Sequence, residues 1–213
     1  MYEYILFDLD GTLTDPGEGI TNSVAYALEK FGITENDRTR LYAFIGPPLA
    51  DSFAKYYGMT AEECERAIFE YRVYFKDRGM FENAVYPDVE QMLDTLKKMG
   101  KTICLATSKP EEFAVTILKH FGLHKYFDVI GGASMDGKRS AKGDVIRYTL
   151  EKGGITDLSR AVMIGDRKHD IMGAKSVGMA SAGVLYGYGD EAELKKAGAD
   201  YILSQVSDII SIV

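Results

Sequence analysis

The chain has 213 residues, 46% of them hydrophobic, and a formal net charge of −7 at pH 7. This length can bury a sizeable core, as one large domain or as a core domain with a smaller insertion, and the composition argues against intrinsic disorder. The acidic balance offers no broad basic surface, so we expect neither nucleic acid nor a membrane as a partner. No run resembles a secretory signal or a membrane span. Cys64 and Cys104 lie far apart, which favours a reducing, cytoplasmic location over a disulfide.

Short apolar runs, too continuous for half-exposed strands, predict a buried parallel sheet. They lie at residues 4–7, 102–106, 129–130, 161–164 and 182–185, with a weaker run at 201–203. Helical patterns separate them, at residues 89–99, 111–121, 143–151 and 170–177. Alternating strands and helices indicate an α/β fold, a doubly wound, Rossmann-like parallel sheet with right-handed crossovers.

The segment from residue 16 to residue 82 interrupts this alternation, because it contains helical patterns only. These lie at residues 19–31, 38–57 and 61–78, and Gly46, Pro47 and Pro48 break the second one. An all-helical insertion between the first and second sheet strands predicts a separate cap domain. The expected division is therefore a core of residues 1–15 and 83–213 and a cap of residues 16–82.

Asp8 and Asp10 directly follow the first apolar run, with Gly11 and Thr12 next in the sequence. Carboxylates crowded at the end of a buried strand repel each other, so proteins that keep them usually supply a cation or leave one carboxylate protonated. This electrostatic cost indicates a functional site.

Polar residues also follow three other predicted strands, and open parallel sheets bind ligands beyond the carboxyl ends of their strands. We therefore expect loops from four strands to meet in one site. Besides the first pair, these residues are Thr107 and Ser108, then Lys142, then Asp166 and Asp170.

These motifs resemble those of the haloacid dehalogenase-like (HAD) superfamily, in its phosphatase branch. Asp8 to Thr12 match the first motif, Thr107 and Ser108 the second, Lys142 the third and residues 165–170 the fourth. True dehalogenases of the superfamily lack an aspartate at the position of Asp10, so halide chemistry is not expected. The resemblance covers nearly the whole chain, including the helical segment between the first two motifs.

The resemblance implies an enzyme with an aspartyl-phosphate intermediate on Asp8, and Asp10 as general acid and base. It also implies Mg²⁺ bound by the Asp8 carboxylate, the Asp10 backbone carbonyl and Asp166, a choice that fits hard oxygen ligands. Thr107, Ser108, Gly11 and Lys142 would bind the phosphoryl group, with backbone N–H groups near Ser108 at a helix start. Asp170 would orient Lys142 or metal-bound water.

Each assignment has a simpler alternative. Asp166 or Thr107 could cap a helix, and Lys142 could be one solvated lysine of a polar loop in which Lys138 is a rival. His120 and His124 have metal-like spacing, but Gly122 between them ends a helix. His169 could be merely exposed, and we interpret residues 187–189 as a loop flanking the site.

The expected substrate is a small phosphorylated metabolite, hydrolysed as a phosphomonoester of the phosphoglycolate or 5′-nucleotide type. That sub-family resemblance rests on residues 46–51, 107–110 and 187–189. Cap candidates for substrate choice are Ile45 and Gly46 with the cations Arg72, Lys76 and Arg78, although a solvated helix face explains any one of them. A sugar-phosphate mutase, a signalling module and a catalytically idle phosphate-binding protein remain as alternatives. A monomer or homodimer is expected.

Overall fold

The computed structural model describes every residue from Met1 to Val213. Its strands are β1 (Tyr4–Phe7), β2 (Thr14–Asp15), β3 (Ala84–Val85), β4 (Thr102–Pro110), β5 (Val129–Ala133), β6 (Ala161–Gly165), β7 (Ala180–Val184) and β8 (Tyr201–Leu203). Its α-helices are α1 (Gly17–Glu29), α2 (Leu49–Tyr57), α3 (Ala61–Tyr74), α4 (Val89–Lys98), α5 (Glu111–His120), α6 (Lys142–Lys152), α7 (Lys168–Val177), α8 (Glu191–Ala197) and α9 (Ile209–Ile212).

Six strands form one sheet in the order β5-β4-β1-β6-β7-β8, and all of its pairs are parallel. The chain runs outward from β1 to β5 on one side and returns to build β6 to β8 on the other. The direction therefore reverses between β1 and β6, the place where open α/β sheets bind ligands. The predicted doubly wound α/β fold is confirmed.

Both faces of the central strands are covered by helices, which explains their continuous apolar sequence. On one face, side chains of β1, β4 and β6 pack with α6 and α7 in a single cluster that includes Leu6, Cys104, Met163, Ile146 and Ala174. The residues that alternate with these along β1, Ile5 and Phe7, are also fully buried. Burial of each large apolar side chain contributes about 1.5–3 kcal/mol, so this sheet rigidly supports the loops at its edge.

The chain divides into two compact units, one of Met1–Thr14 and Val85–Val213 and the other of Asp15–Ala84. The first unit contains the six-stranded sheet, and the short strands β2 and β3 pair with each other where the chain passes between the units. The sequence predicted a helical segment from residue 16 to residue 82. The function of this segment as a cap stays a prediction.

The second unit is helical between its terminal β-residues, with α1, α2 and α3 as its main elements. Thr60 and Glu63 form a capping box that starts α3, and a π-helical turn at Phe75–Gly79 continues it. The sequence predicted one interrupted helix over residues 38–57. The structure has a 3₁₀ helix at Arg38–Phe44 and then α2, because Pro47 and Pro48 cannot donate backbone hydrogen bonds.

Candidate active site

The turn after β1 holds Asp8 and Asp10 at the carboxyl edge of the sheet. The Asp8 N–H still donates to the Ile164 carbonyl of β6 (2.9 Å), and the Leu13 and Thr14 N–H groups then fold back onto the Leu9 carbonyl (2.9 and 3.0 Å). Gly11 lies in this turn with φ +81°, a left-handed conformation that glycine adopts without strain. The turn therefore places two acidic side chains, from residues two positions apart, at the same edge of the sheet.

Lys142 joins the first and fourth motifs. Its Nζ lies 3.0 Å from Asp8 Oδ1 and 2.8 Å from Asp170 Oδ1, and it donates to the Ala106 carbonyl (3.1 Å). Lys142 thus forms ion pairs with two carboxylates and one hydrogen bond to the backbone. Burial alone would lower the pKa of Lys142, but the Asp170 and Asp8 carboxylates outweigh it and raise that pKa.

The sequence alternative for Lys142, a solvated lysine in a polar loop, is wrong. Lys142 is the first residue of α6 and only 7% exposed, because its side chain turns inward to the carboxylates. The rival Lys138 pairs with Asp136 and its side chain is 87% exposed. The structure therefore selects between the two lysines, a choice that the sequence left open.

Asp166 is fully buried at the end of β6, and its carboxylate is oriented by two groups. Oδ2 accepts the Tyr188 N–H (2.8 Å), and the Thr12 hydroxyl donates to Oδ1 (3.4 Å). Asp166 does not cap the next helix, since α7 begins at Lys168 with Arg167 in the capping position. Burial, and then the charges of Asp170 and Asp8, raise the pKa of Asp166 well above its usual range.

Asp170 lies in the first turn of α7, where it is also buried. Its Oδ2 accepts the Arg167 N–H (3.0 Å) while its other oxygen meets Lys142. Burial raises the pKa of Asp170 to about 6, against the opposing effect of Lys142. The expected contact of Asp170 with Lys142 is thus present in the structure.

The second motif lies in β4 rather than at a helix start. Thr107 is 1% exposed and its Oγ1 accepts the Lys109 N–H (3.2 Å), while Ser108 is half-buried. The helix begins at Glu111, where the helical pattern starts, and the strand continues to Pro110, so Ser108 lies in the strand before that helix. Thr107 is therefore not a helix cap, since Pro110 occupies the capping position of α5.

Lys109 is the site residue to which the sequence reasoning assigned no function. Its Nζ lies 2.8 Å from Asp10 Oδ2, and both side chains are largely buried. Burial raises the pKa of Asp10, and the Lys109 ammonium opposes that effect. One sequence feature could have indicated a function for Lys109: it is a cation two residues after Thr107, at the carboxyl end of a predicted strand.

The remaining sequence candidates are three histidines and residues of the helical unit. His120 ends α5 and His124 begins a 3₁₀ helix, so they share no helix face. His169 is half-buried in α7, and burial followed by the charges of Lys168 and Arg167 lowers its pKa. In the helical unit, Ile45 is buried, Arg72 is half-buried, and Lys76 and Arg78 are exposed.

The charges of the cluster do not balance. Oxygens of Asp8, Asp166 and Asp170 lie within 4.8 Å of one another. The cluster contains four carboxylates but only two ammonium groups, and the nearby Arg167 is paired with Glu193 (3.0 Å). With all four carboxylates ionised, the buried site would carry two excess negative charges. A divalent cation such as Mg²⁺, which prefers hard oxygen ligands, would balance them.

Comparison with known proteins gives the family. The sequence model of the haloacid dehalogenase-like hydrolases matches residues 5–184. The chain belongs to the haloacid dehalogenase-like hydrolase family. This confirms the resemblance read from the four motifs, and the relatives described next place the chain among the phosphatase enzymes of this family.

A 5′-nucleotidase of Pseudomonas aeruginosa is 45% identical over 194 residues, which are 91% of this chain and 87% of that protein. The tyrosine-protein kinase PtkA of Mycobacterium tuberculosis is 39% identical over 88% of this chain, which spans 63% of PtkA. The crystal structure of a predicted phosphatase from Clostridium acetobutylicum superposes with a TM-score of 0.96 at 50% identity, covering 100% of this chain and 98% of that one. No helix of the present chain combines the length and apolar character that crossing a membrane requires.

Proposed function

We propose that the chain is a Mg²⁺-dependent phosphatase that hydrolyses small phosphomonoesters through a phosphoryl group carried on Asp8. The observation that carries the proposal is the pairing of each aspartate of the first motif with its own buried lysine. Asp8 lies beside Lys142 and Asp10 beside Lys109. Two carboxylates two residues apart thus have different surroundings, which suits one nucleophile and one proton-transfer group.

The residues present fit a magnesium ion. The Asp8 and Asp166 carboxylates, with the backbone carbonyl of Asp10, would hold it, and Asp170 would remain with Lys142. Bound there, Mg²⁺ would offset the negative charge that Asp8 and a phosphate dianion bring together.

In the first half of the reaction an Asp8 carboxylate oxygen attacks phosphorus. The new O–P bond forms as the bond to the leaving oxygen breaks, and Asp10 gives that oxygen a proton. Lys142 keeps its positive charge beside Asp8 and the phosphoryl oxygens, because the neighbouring carboxylates raise its pKa. The Thr107 hydroxyl, with backbone groups at Ser108 and Gly11, would orient the phosphoryl oxygens.

In the second half Asp10 takes a proton from a water molecule, and the water oxygen attacks phosphorus. The Asp8 O–P bond breaks and inorganic phosphate leaves, so Asp8 returns to its initial carboxylate form. Asp10 also returns to its initial protonation state, since it gave one proton and received one. The two half-reactions together consume one water and one phosphomonoester.

The substrate class we propose is a small, soluble phosphorylated metabolite of the 5′-nucleotide or phosphoglycolate type. The name of the Pseudomonas aeruginosa relative, which matches over most of both chains, supports a nucleotide. The helical unit would act as the cap that selects the leaving group. Ile45, Gly46, Arg72 and Lys76 are its candidate residues, and the assignment of that unit as a cap is part of the proposal.

Asp8→Asn is the direct test of the covalent step. We expect this change to lower the release of phosphate from p-nitrophenyl phosphate by at least about 1,000-fold, since an amide cannot act as the nucleophile. Wild-type activity should require added Mg²⁺ and disappear with EDTA. Circular dichroism and thermal unfolding of the variant control for folding, and undiminished activity of a folded Asp8→Asn protein would show that the mechanism is wrong.

A substrate panel separates the alternatives. Nucleoside monophosphates, phosphoglycolate, sugar phosphates and pyrophosphate should be compared by phosphate release in the presence of Mg²⁺. Isomerised hexose phosphate without phosphate release would support a mutase. Transfer of phosphate from ATP to tyrosine, as the name of the Mycobacterium tuberculosis relative suggests, would support a kinase instead.

A further inference from the structure

Lys109 and Asp10 form a buried ion pair, and the reaction steps described above assign no function to the lysine itself. Nζ of Lys109 lies 2.8 Å from Oδ2 of Asp10, and the two side chains are 5% and 13% exposed. Exposed pairs contribute little, but a buried pair costs desolvation energy on both partners. Such a pair, placed next to the proposed nucleophile, calls for a functional explanation.

An irregularity in β4 places Lys109 there. Thr107 pairs with Gly132 and Pro110 pairs with Ala133, so Ser108 and Lys109 are extra residues on the β4 side. Bulges of this kind change the direction of side chains and occur next to active sites. A Cβ at Gly132 would lie 2.9 Å from the Lys109 carbonyl oxygen, so the neighbouring strand allows the bulge only with glycine there.

The pair distinguishes the two oxygens of Asp10. Lys109 holds Oδ2, whereas Oδ1 is buried and makes no hydrogen bond in the protein. A buried acceptor without a partner is destabilising, and a hydrogen bond from a bound substrate or water would remove that cost. Lys142 cannot take this function, because its three contacts are with Asp8, Asp170 and the Ala106 carbonyl.

We propose that Lys109 is a positioning residue that fixes Asp10 through Oδ2 and thereby presents Oδ1 as the oxygen that transfers the proton. The inference rests on the proposed phosphatase function and adds a residue to it. The Oδ1 proton passes to the leaving oxygen as its bond to phosphorus breaks. In the second half-reaction Oδ1 takes a proton from water as the water oxygen bonds to phosphorus, and Lys109 keeps its own protons throughout.

The consequence is a dependence on the leaving group. An alkoxide needs a proton in order to leave, whereas p-nitrophenolate leaves readily without one. A residue that positions the general acid should therefore affect alkyl phosphates far more than p-nitrophenyl phosphate. A residue that binds the phosphoryl group should affect both equally.

The experiment compares kcat/KM of Lys109→Met for benzyl phosphate and p-nitrophenyl phosphate, because kcat/KM reports the steps up to departure of the leaving group. We expect a loss of about 100-fold for benzyl phosphate, the usual contribution of general acid catalysis, and less than about 5-fold for p-nitrophenyl phosphate. Asp10→Asn should show the same selectivity, and Asp8→Asn should lose both activities.

Lys101→Met is the matched control, since Lys101 is another buried lysine of the same unit and donates to the Tyr2 carbonyl (2.6 Å). It should lower stability without changing the ratio of the two kcat/KM values. If Lys109→Met does not fold, Lys109→Gln, which keeps a polar group but lacks the charge, should show the same selective loss.

Equal losses on both esters, or no loss on either, in a folded Lys109 variant would overturn the positioning function. Failure of the proposed function is distinct, because then the wild-type protein would hydrolyse neither ester with Mg²⁺ present. That result would overturn both proposals.

Discussion

At the scale of single residues, the loop of residues 187–189 lies against Asp166 with almost no space between them. A Cβ at position 187 would lie 2.2 Å from the Gly11 carbonyl oxygen and 2.4 Å from the Asp166 Cβ. A Cβ at Gly189 would lie 2.0 Å from the Asp166 carbonyl oxygen. These glycines allow the Tyr188 N–H to reach the Asp166 carboxylate, so small side chains here are part of how the proposed metal ligand is oriented.

Gly187→Ala should weaken the proposed metal site. The added methyl group must displace the loop or Asp166, and we expect Mg²⁺ affinity to fall by about 10–100-fold, as for other groups that orient metal ligands. The measurement is the Mg²⁺ concentration that gives half-maximal phosphatase activity.

Gly154→Ala is the control for that substitution. Gly154 has φ +62° and a Cβ there would meet nothing within 4 Å, so alanine should introduce backbone strain of about 1 kcal/mol and leave the Mg²⁺ requirement unchanged. An unchanged Mg²⁺ requirement in Gly187→Ala would contradict the proposed function of the loop.

At the scale of elements, α8 anchors the loop of the fourth motif. Glu193 accepts the Lys168 N–H (2.8 Å) and pairs with the Arg167 guanidinium (3.0 Å). Burial alone would raise the pKa of Glu193, but these two partners outweigh it and lower that pKa. A short helix outside the four motifs thus holds the backbone that joins Asp166 to Asp170.

Glu193→Gln should loosen that loop without unfolding the sheet. We expect the Mg²⁺ concentration for half-maximal activity to rise about 10-fold, because the amide keeps the shape but loses the charge that holds Arg167. Glu191→Gln changes the same helix at an exposed pair with Lys195, and it should have no effect. If Glu193→Gln and Glu191→Gln had the same Mg²⁺ requirement, α8 would not support the site.

The secondary-structure elements were only partly predictable from the sequence. The strands β1, β4 and β6 were predictable, because burial on both faces demands continuous apolar runs. The extension of β4 beyond Ala106 was not, since Ser108, Lys109 and Pro110 have no strand-like pattern and join the sheet only through the irregular pairing with β5. The place of Lys109 at the end of a predicted strand was visible in the sequence, but its contact with Asp10 was not.

At the scale of the whole protein, the excess of buried negative charge should make stability depend on a divalent cation. A ligand present at 100 times its Kd adds about 2.7 kcal/mol to the free energy of unfolding. For a chain of this size each kcal/mol raises Tm by about 2–4 °C. The net charge of −7 acts in the same direction, since it attracts cations generally.

Mg²⁺ at saturating concentration should therefore raise Tm by roughly 5–10 °C, by the same relations. Calorimetry or dye-based thermal unfolding checks this, with NaCl at matched ionic strength as the control for screening. Asp166→Asn should show a smaller rise in Tm with Mg²⁺ than the wild type, because one of the proposed metal ligands is gone. If Mg²⁺ raised the Tm of Asp166→Asn and of the wild type equally, the stabilising ion would bind elsewhere.

The sequence by itself determined the α/β class, the family and the residues of the four motifs, because these depend on apolar periodicity and on the order of polar residues along the chain. The tertiary structure decided which lysine serves which aspartate. Lys138 and Lys142 are alike in sequence, and only the packing of α6 against the sheet brings Lys142 to Asp8 and Asp170. The contacts of Lys109 with Asp10 and of Tyr188 with Asp166 join strands and loops distant in the chain, so no local pattern could reveal them.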